Sequence, residues 1–237
     1  MPSIIALVSQ TGNVMKTTLA AAVGLQLIGA GVATTAIDLD PEHRALGGSL
    51  DTWARDRASL HPHRDQLPVL TADDADEALT KARSCTASIV IIDCPSRATT
   101  ATARIADAAD FVVLPLVPGK KDSMLTLTTI ARLIAAGVSL CRFAVMLTRT
   151  GSKAEAADTM AWIRSARLSR DYDVLVIDET IPERVGYRTA IAKGLAITEA
   201  SHRDLRSPAI ASVEGLIAAY MAAMDDYYAT QPTAGAA

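Results

Sequence analysis

The 237-residue sequence predicts a single doubly wound α/β domain, a mainly parallel sheet flanked by helices. Three observations carry that prediction. Short runs of branched aliphatic residues alternate with helix-forming stretches, the pattern of parallel strands joined by right-handed helical crossovers. Half of the residues are hydrophobic but only 4% are aromatic, so the core is to be built from Ala, Val, Leu and Ile, which suits helices laid on a buried sheet. The length holds one large core and leaves little for a second.

Taken in order, Ile4 to Val8 is a short apolar run closed at once by Ser9-Gln10-Thr11-Gly12-Asn13, turn-forming residues that end a buried strand. From Thr17 the stretch TTLAAAVGLQLIGAG holds good helix formers until Gly29 and Gly31 supply a stop. Val32 to Ile37 is a second strand, closing on Asp38-Leu39-Asp40-Pro41, and Ile89 to Ile92 a third, closing on Asp93-Cys94-Pro95. Phe111 to Leu114, Phe143 to Leu147 and Val174 to Ile177 follow as further strands, with helices near 73–84, 99–108, 122–136 and 153–169. In such a sheet, ligands sit beyond the carboxyl ends of the strands, so the loops 9–16, 38–41 and 93–97 should converge. The domain is expected over 1–226, with 227–237 a flexible polar tail.

Composition narrows the function classes. A formal net charge of −3 gives no global pull toward nucleic acid, so any DNA contact must come from a local patch. Cys85, Cys94 and Cys141 lack CxxC spacing and read as reduced thiols, and the four histidines show no metal spacing. The N-terminus has no basic region before its apolar run, and no stretch approaches the ~20 apolar residues that span a bilayer. A cytoplasmic location is expected.

Chemistry concentrates at three strand ends. Residues 9–18 lie between a strand and a helix, the context a phosphate-binding loop requires. There, backbone N–H groups of Gly12, Asn13, Val14, Met15 and Thr18 and the helix N-terminus would cradle phosphates, Lys16 would neutralise their charge, and Thr17 would ligate Mg²⁺. The competing reading is an ordinary capped turn. Asp93 ends a buried strand in IIDCP, as a carboxylate reaching Mg²⁺ through water must. Asp38 and Asp40 stand two apart at another strand end, so their side chains would share one side and one would approach the γ-phosphate. Each aspartate alone is equally a helix cap.

Together these segments resemble the deviant Walker A ATPases of the ParA/MinD family, particularly the small plasmid-partition ParA proteins and the VirC conjugation accessory group. In that family the loop reads approximately Lys-Gly-Gly-x-Gly-Lys-Thr-Thr, which Gly12, Lys16, Thr17 and Thr18 match and Thr11, Asn13 and Met15 do not. The resemblance also takes in Trp53 after the Asp40-Pro41 pair, and Ile181-Pro182-Glu183-Arg184, Tyr187, Ala190, Gly194 and Glu199 near the end. It implies an ATPase using ATP and Mg²⁺, with Lys16 on the β/γ-phosphates, Thr17 and Asp93 at the metal, Asp40 orienting the attacking water, Asp38 its companion, and Pro182 lining the adenine pocket. It further implies a homodimer on ATP binding, nonspecific DNA held by Arg184, Arg188, Lys193, Arg203 and Arg206, nucleoid association, and a small adaptor or centromere-binding protein as partner. A solvated charged face is the alternative for those basic residues.

The departures carry implications of their own. Thr11 leaves vacant the signature lysine that reaches a partner's phosphates, and Lys153 is the nearest candidate to replace it in trans. Met15 and Asn13 stand where glycines permit φ > 0, so a loop of the family shape strains Met15. Weak or lost hydrolysis follows, and with it the alternative of a nucleotide-gated scaffold or a DNA-binding conjugation accessory protein. A MinD-like membrane cycle would need a basic amphipathic C-terminal helix, which Met224-Asp225-Asp226-Tyr227-Tyr228 does not provide, so no membrane partner is expected.

Overall fold

The computed structural model describes residues 1–47, 49–96, 100–139, 142–166 and 175–230. Its centre is a seven-stranded sheet: β1 (Ser3–Ser9), β2 (Thr34–Asp38), β3 (Val69–Thr71), β4 (Ile89–Ser96), β5 (Phe111–Leu116), β6 (Phe143–Thr150) and β7 (Leu175–Pro182), in the order β3-β2-β4-β1-β5-β6-β7. Every described pairing is parallel. β1 is central, and its side chains alternate between two cores. Ile4, Ala6 and Val8 join one apolar cluster and Ile5 and Leu7 the other. That period of two, with both faces covered, is why the strands read as continuous apolar runs.

One face is covered by α4 (Ala75–Ser84), α5 (Thr100–Ala108), α6 (Lys120–Ala135) and α7 (Lys153–Ser165), through residues such as Leu79, Ile105, Ile130 and Ile163. The other carries α1 (Lys16–Gly29), α3 (Leu50–Leu60) and α9 (Arg203–Thr230), through Leu19, Val23, Trp53, Val213 and Leu216. Each such aliphatic side chain, once buried, contributes about 1.5–3 kcal/mol. Two short helices complete the order, α2 (Pro41–Ala45) and α8 (Val185–Ile191).

The expected strands and helices are present within a few residues, apart from positions outside the described residues: Arg97, Thr99, Cys141, 167–169 and Val174. Cys85 and Cys94 are free thiols. The structure adds β3, α2, α3, α8 and α9, all lying where the sequence has weak periodicity or mixed polarity. α3 is started by Ser49, whose Oγ accepts the Thr52 amide at 3.4 Å. α9 carries Pro208 inside it and runs on through 227–230; residues 231–237 lie outside the described ones.

One sequence expectation needs correction here. The segment Arg203–Asp225 of α9, with mean hydropathy 1.3, is by length and composition long enough to cross a membrane. In this fold its Ala209, Val213, Leu216 and Tyr220 pack into the core, with Tyr220 edge-on to Phe111 at 5.8 Å. Ser, Glu and Gly interrupt its apolar residues, so no unbroken run of membrane-spanning length marks the stretch in the sequence.

α3 is locked to the segment after α8 by a buried ion pair. Arg57, 1% exposed, donates to Glu199 Oε2 at 2.6 Å and Oε1 at 2.9 Å, and to the carbonyls of Asp65 and Gly194 at 2.8 and 3.1 Å. Gly194 adopts φ +68°, and a Cβ there would lie 2.9 Å from the Arg57 backbone, so only glycine fits. Trp53 Nε1 donates to the Leu195 carbonyl at 3.4 Å and its ring lies 5.7 Å under the Arg57 guanidinium. Trp53, Gly194 and Glu199, read in the sequence as parts of a resemblance, are thus three pieces of one structural joint.

Candidate functional site

The carboxyl ends of β1, β2, β4, β6 and β7 surround a cavity of about 520 Å³. At one end lies the loop 10–15. Asn13 and Met15 take φ of 62° and 66°, so the loop keeps the left-handed turns that glycines ordinarily make, and the strain expected at Met15 is present. The Met15 side chain is partly buried against the apolar cluster under α1, which offsets part of that cost. Met15 caps α1, its carbonyl accepting the Leu19 amide at 2.8 Å, and directs the first amides of the helix at the cavity.

Lys16, the first residue of α1, is buried. Its Nζ donates to Ser9 Oγ at 2.8 Å and Ser96 Oγ at 3.2 Å, and Ser9 Oγ in turn donates to the Thr11 carbonyl at 2.6 Å. Burial lowers the Lys16 pKa below that of an ordinary lysine, while the charges of Asp93, Cys94 and Asp40 act the other way. Thr17 Oγ1 donates to Asp93 Oδ2 at 2.6 Å. Asp93 is enclosed, and burial pushes its pKa up to about 7, against the pull of Thr17 and Lys16; Asp38 and Asp40 add to the rise. Its other oxygen, Oδ1, is buried with no hydrogen-bond partner.

That orphaned oxygen tests whether a divalent cation fits. An unpartnered buried carboxylate oxygen costs free energy unless something electropositive faces it. Beside it stands the Thr17 hydroxyl, an oxygen ligand of the type Mg²⁺ prefers. Among the described residues no cluster of three His, Cys, Asp or Glu side chains forms a dedicated cage. Oxygen donors of this kind fit Mg²⁺ held jointly with phosphates. Thr17 directly and Asp93 through water would hold it.

The two aspartates after β2 part company. Asp40 lines the cavity. Asp38 is fully buried behind it: Oδ1 accepts the Asp40 amide and Oδ2 the Asp51 amide, both at 3.0 Å, and the Arg44 guanidinium lies 3.8 Å from Oδ1. Asp38 therefore fixes the turn that presents Asp40 and anchors the start of α3. The alternation of a strand places both on one side only while the chain is extended, and the turn at Leu39 ends that.

The far end of the cavity is formed by Pro182, Tyr187 and Ile191, an apolar wall, with Arg149, Glu183, Arg184 and Arg188 at its rim. Arg149, itself at φ 56°, donates through Nη1 to the Asn13 carbonyl at 3.0 Å and through Nε to Glu183 Oε2 at 2.5 Å; Arg188 reaches Glu183 Oε1 at 3.1 Å. The loop end and the apolar end are thus tied by one hydrogen bond and two ion pairs. Sequence reading assigned no role to Arg149, Glu183, Ile191 or Ser96, although Ser96 lies in the loop 93–97 expected to converge on the site. The position of Arg149, Glu183 and Ser96 at strand ends was the signal available.

Arg184 and Arg188, read in the sequence as DNA contacts, line this cavity, whereas Lys193, Arg203 and Arg206 are exposed and stand outside its lining. Lys153 is exposed at the first position of α7, also outside the lining.

The model of the CobQ/CobB/MinD/ParA nucleotide binding domain matches residues 5–197. The chain belongs to this family. No curated protein matches it in sequence. Among solved structures, the MinD cell division protein of Aquifex aeolicus superposes with a TM-score of 0.65 at 16% identity, over 91% of this chain and 97% of that one. The ATP complex of McdA from Cyanothece gives 0.62 at 19%, over 91% and 96%. A protein assigned to plasmid partition in Borrelia burgdorferi B31, bound to AMPPNP, gives 0.63 at 15%, over 94% and 99%. At such identities the likeness is one of fold.

Proposed function

We propose that this chain binds ATP with Mg²⁺ and hydrolyses it slowly, as a ParA-type ATPase. It would form a homodimer on ATP binding and act in plasmid DNA segregation or related cargo positioning, in the cytoplasm and in association with the nucleoid. The observation that carries the reading is the convergence of Lys16, the Thr17–Asp93 pair and Asp40 at one end of a cavity whose other end is the apolar wall of Pro182, Tyr187 and Ile191. A charged end, an apolar end and a volume within the usual range for small-molecule sites suit a nucleotide.

In this reading Lys16 and the loop amides bind phosphates, and Asp40 orients the water attacking the γ-phosphate, with Asp38 holding Asp40 in place. Bound magnesium supplies neutralisation of the charge on the terminal phosphates. Catalysis rests on positioning and charge. Lys153 is exposed and outside its own cavity, as a residue acting on a partner's phosphates must be. Lys193, Arg203 and Arg206 remain available for nonspecific DNA, with an adaptor protein stimulating turnover.

A second reading, a nucleotide-gated scaffold without useful turnover, is favoured by the strained Met15 and by Thr11 in place of a cation. Calorimetry of ATP–Mg²⁺ with wild type and Lys16→Ala tests the binding site, since losing the charge-assisted contacts of Lys16 should weaken affinity at least tenfold, using the ~1.5–3 kcal/mol of such a bond. Equal affinities would remove the assignment. Phosphate release measured with DNA present separates the two readings, because the scaffold gives none above buffer.

A further inference from the structure

We propose that Thr148 and Arg149 are positioning residues for the phosphate loop, an inference resting on the nucleotide-binding reading above. From the end of β6 they clamp the two peptide units between Asn13 and Met15 in a shape that the side chains at 13 and 15 resist. Among the described residues only Asn13, Met15 and Arg149 combine a side chain with a positive φ, and all three lie at this one junction of loop and strand. Such backbone persists outside glycine only where its surroundings over-determine it, and it gathers at functional sites.

The fully buried Thr148 hydroxyl shares its proton between the carbonyls of Val14 and Leu116, at 3.1 and 3.3 Å. Arg149 Nη1 donates to the Asn13 carbonyl at 3.0 Å. In a planar trans peptide the carbonyl of one residue and the N–H of the next point in opposite directions. Catching the Asn13 and Val14 carbonyls from β6 therefore turns the Val14 and Met15 amides the other way, and these are two of the amides that would cradle phosphate. The register of β6 explains the reach of Arg149. Opposite β7, Thr148 pairs with Ile181 and Thr150 with Pro182, so Arg149 is an extra residue in β6. A bulge re-aims the side chain of its extra residue and is common beside active sites. Glu183 fixes the guanidinium through Nε at 2.5 Å, and Arg188 in turn holds Glu183.

Glycine takes positive φ about as readily as negative, so a loop with glycines at 13 and 15 reaches this shape without strain. Asn tolerates the left-handed region and Met far less, and burial of Met15 against the cluster under α1 offsets only part of its strain. Without the clamp the native loop spends part of its time in other conformations, and nucleotide affinity drops by the competent fraction lost. Clamp and loop side chains are therefore coupled in energy. Arg149 lines the cavity, so a direct contact with nucleotide is the competing account of its place; Thr148 is enclosed and outside the lining. Coupling to residues 13 and 15 separates the two accounts, because a direct contact is indifferent to them.

Calorimetry with Mg²⁺ and the slowly hydrolysed analogue AMPPNP tests this on Arg149→Met and on Thr148→Val, each made in the native loop and in a loop carrying Asn13→Gly with Met15→Gly. Each loss is measured against the same loop with Thr148 and Arg149 intact, so any effect of the glycines by themselves cancels. In the native loop either substitution should weaken binding about tenfold or more, and in the glycine loop the loss should shrink to about threefold or less. Thr148→Val, nearly isosteric with threonine, serves alone if Arg149→Met fails to fold by circular dichroism. Losses under about twofold in the native loop overturn the inference, and so do losses of equal size in the two loops, which would give Arg149 a direct contact with nucleotide instead. Wild type that binds no nucleotide overturns the nucleotide reading itself.

Discussion

Replacing Arg57 by Ala removes the joint between α3 and the segment that follows α8, and its cost can be worked from the contacts. Four hydrogen bonds are lost, two of them to Glu199, and the Glu199 carboxylate is left in a half-closed site with only the Ala196 amide at 2.9 Å and the more exposed Arg64 at 3.2 Å. Breaking a buried pair by removing one partner costs about 3–5 kcal/mol, and because the Glu199 side chain keeps 20% exposure the lower end, about 3 kcal/mol, applies. For a chain of this size each kcal/mol moves Tm by about 2–4 °C, so Tm should fall by about 6–12 °C. The sign with pH follows from Glu199. Burial alone would raise its pKa, but the Arg57 and Ala196 hydrogen bonds and the charges of Arg57 and Arg64 hold it below the ordinary 4.5. A carboxylate with a depressed folded-state pKa stabilises above the unfolded value and loses that contribution as pH falls through the folded one. The Tm gap between wild type and Arg57→Ala should therefore be full at pH 7 and narrow in acid below about pH 4. Because the joint holds Gly194 directly behind α8, nucleotide affinity should fall as well. Thermal denaturation followed by circular dichroism at both pH values is the assay. A Tm loss under about 2 °C, or a gap that does not narrow in acid, would refute the account of Arg57 as a paired buried charge.

Asp40→Ala should leave ATP affinity within a few-fold of wild type and abolish phosphate release, trapping the ATP-bound state; residual turnover near the wild-type rate would reassign the water-orienting role. Asp93, with its pKa pushed up to about 7, must be ionised to face Mg²⁺, so Mg²⁺-dependent ATP binding should weaken below pH 7, by at most tenfold per unit, and release close to one proton at pH 6. Asp93→Asn should flatten that profile in titrations run in buffers of different ionisation enthalpy. The same raised pKa means that the native protein assayed without Mg²⁺ or nucleotide keeps a proton that the unfolded chain loses above 3.8, so its stability should fall as pH rises from 4 toward 7, to a degree that Asp93→Asn reduces. Arg203→Glu with Arg206→Glu should weaken ATP-dependent binding to unrelated DNA sequences alike and flatten its salt dependence by about 0.9 per lost phosphate contact, read by anisotropy at two salt concentrations. Identical curves would place the cargo contact elsewhere.

The strand ends that carry Lys16, Thr17, Asp40 and Asp93 were legible in the sequence because a buried parallel strand reads as an unbroken aliphatic run, and its end is marked by turn residues and charge. Local geometry at such an end depends on a few adjacent residues, so the tight loop 10–15, and even the left-handed backbone at Met15, followed from local sequence. The resemblance through Trp53, Gly194 and Glu199 was legible too, although its physical meaning was not: the ion pair that unites them belongs to Arg57, a residue that composition assigns to the surface.

What only the tertiary structure decided is which side chains meet across long separations. Asp38 and Asp40 look equivalent in sequence, yet the turn at Leu39 sends one to two backbone amides and the other to the cavity. Arg149 and Glu183, 34 residues apart, become a pair only because β6 and β7 are neighbours, and the pair closes a cavity that Arg184 and Arg188 then line. Ser96 is an ordinary serine until an extra residue in β4 sets it opposite Ser9 and beside Lys16. Periodicity and turn chemistry are properties of neighbouring residues, so the chain alone determined its strands and their chemically charged ends. Strand order and register are set by packing of the whole sheet, and those decided the site.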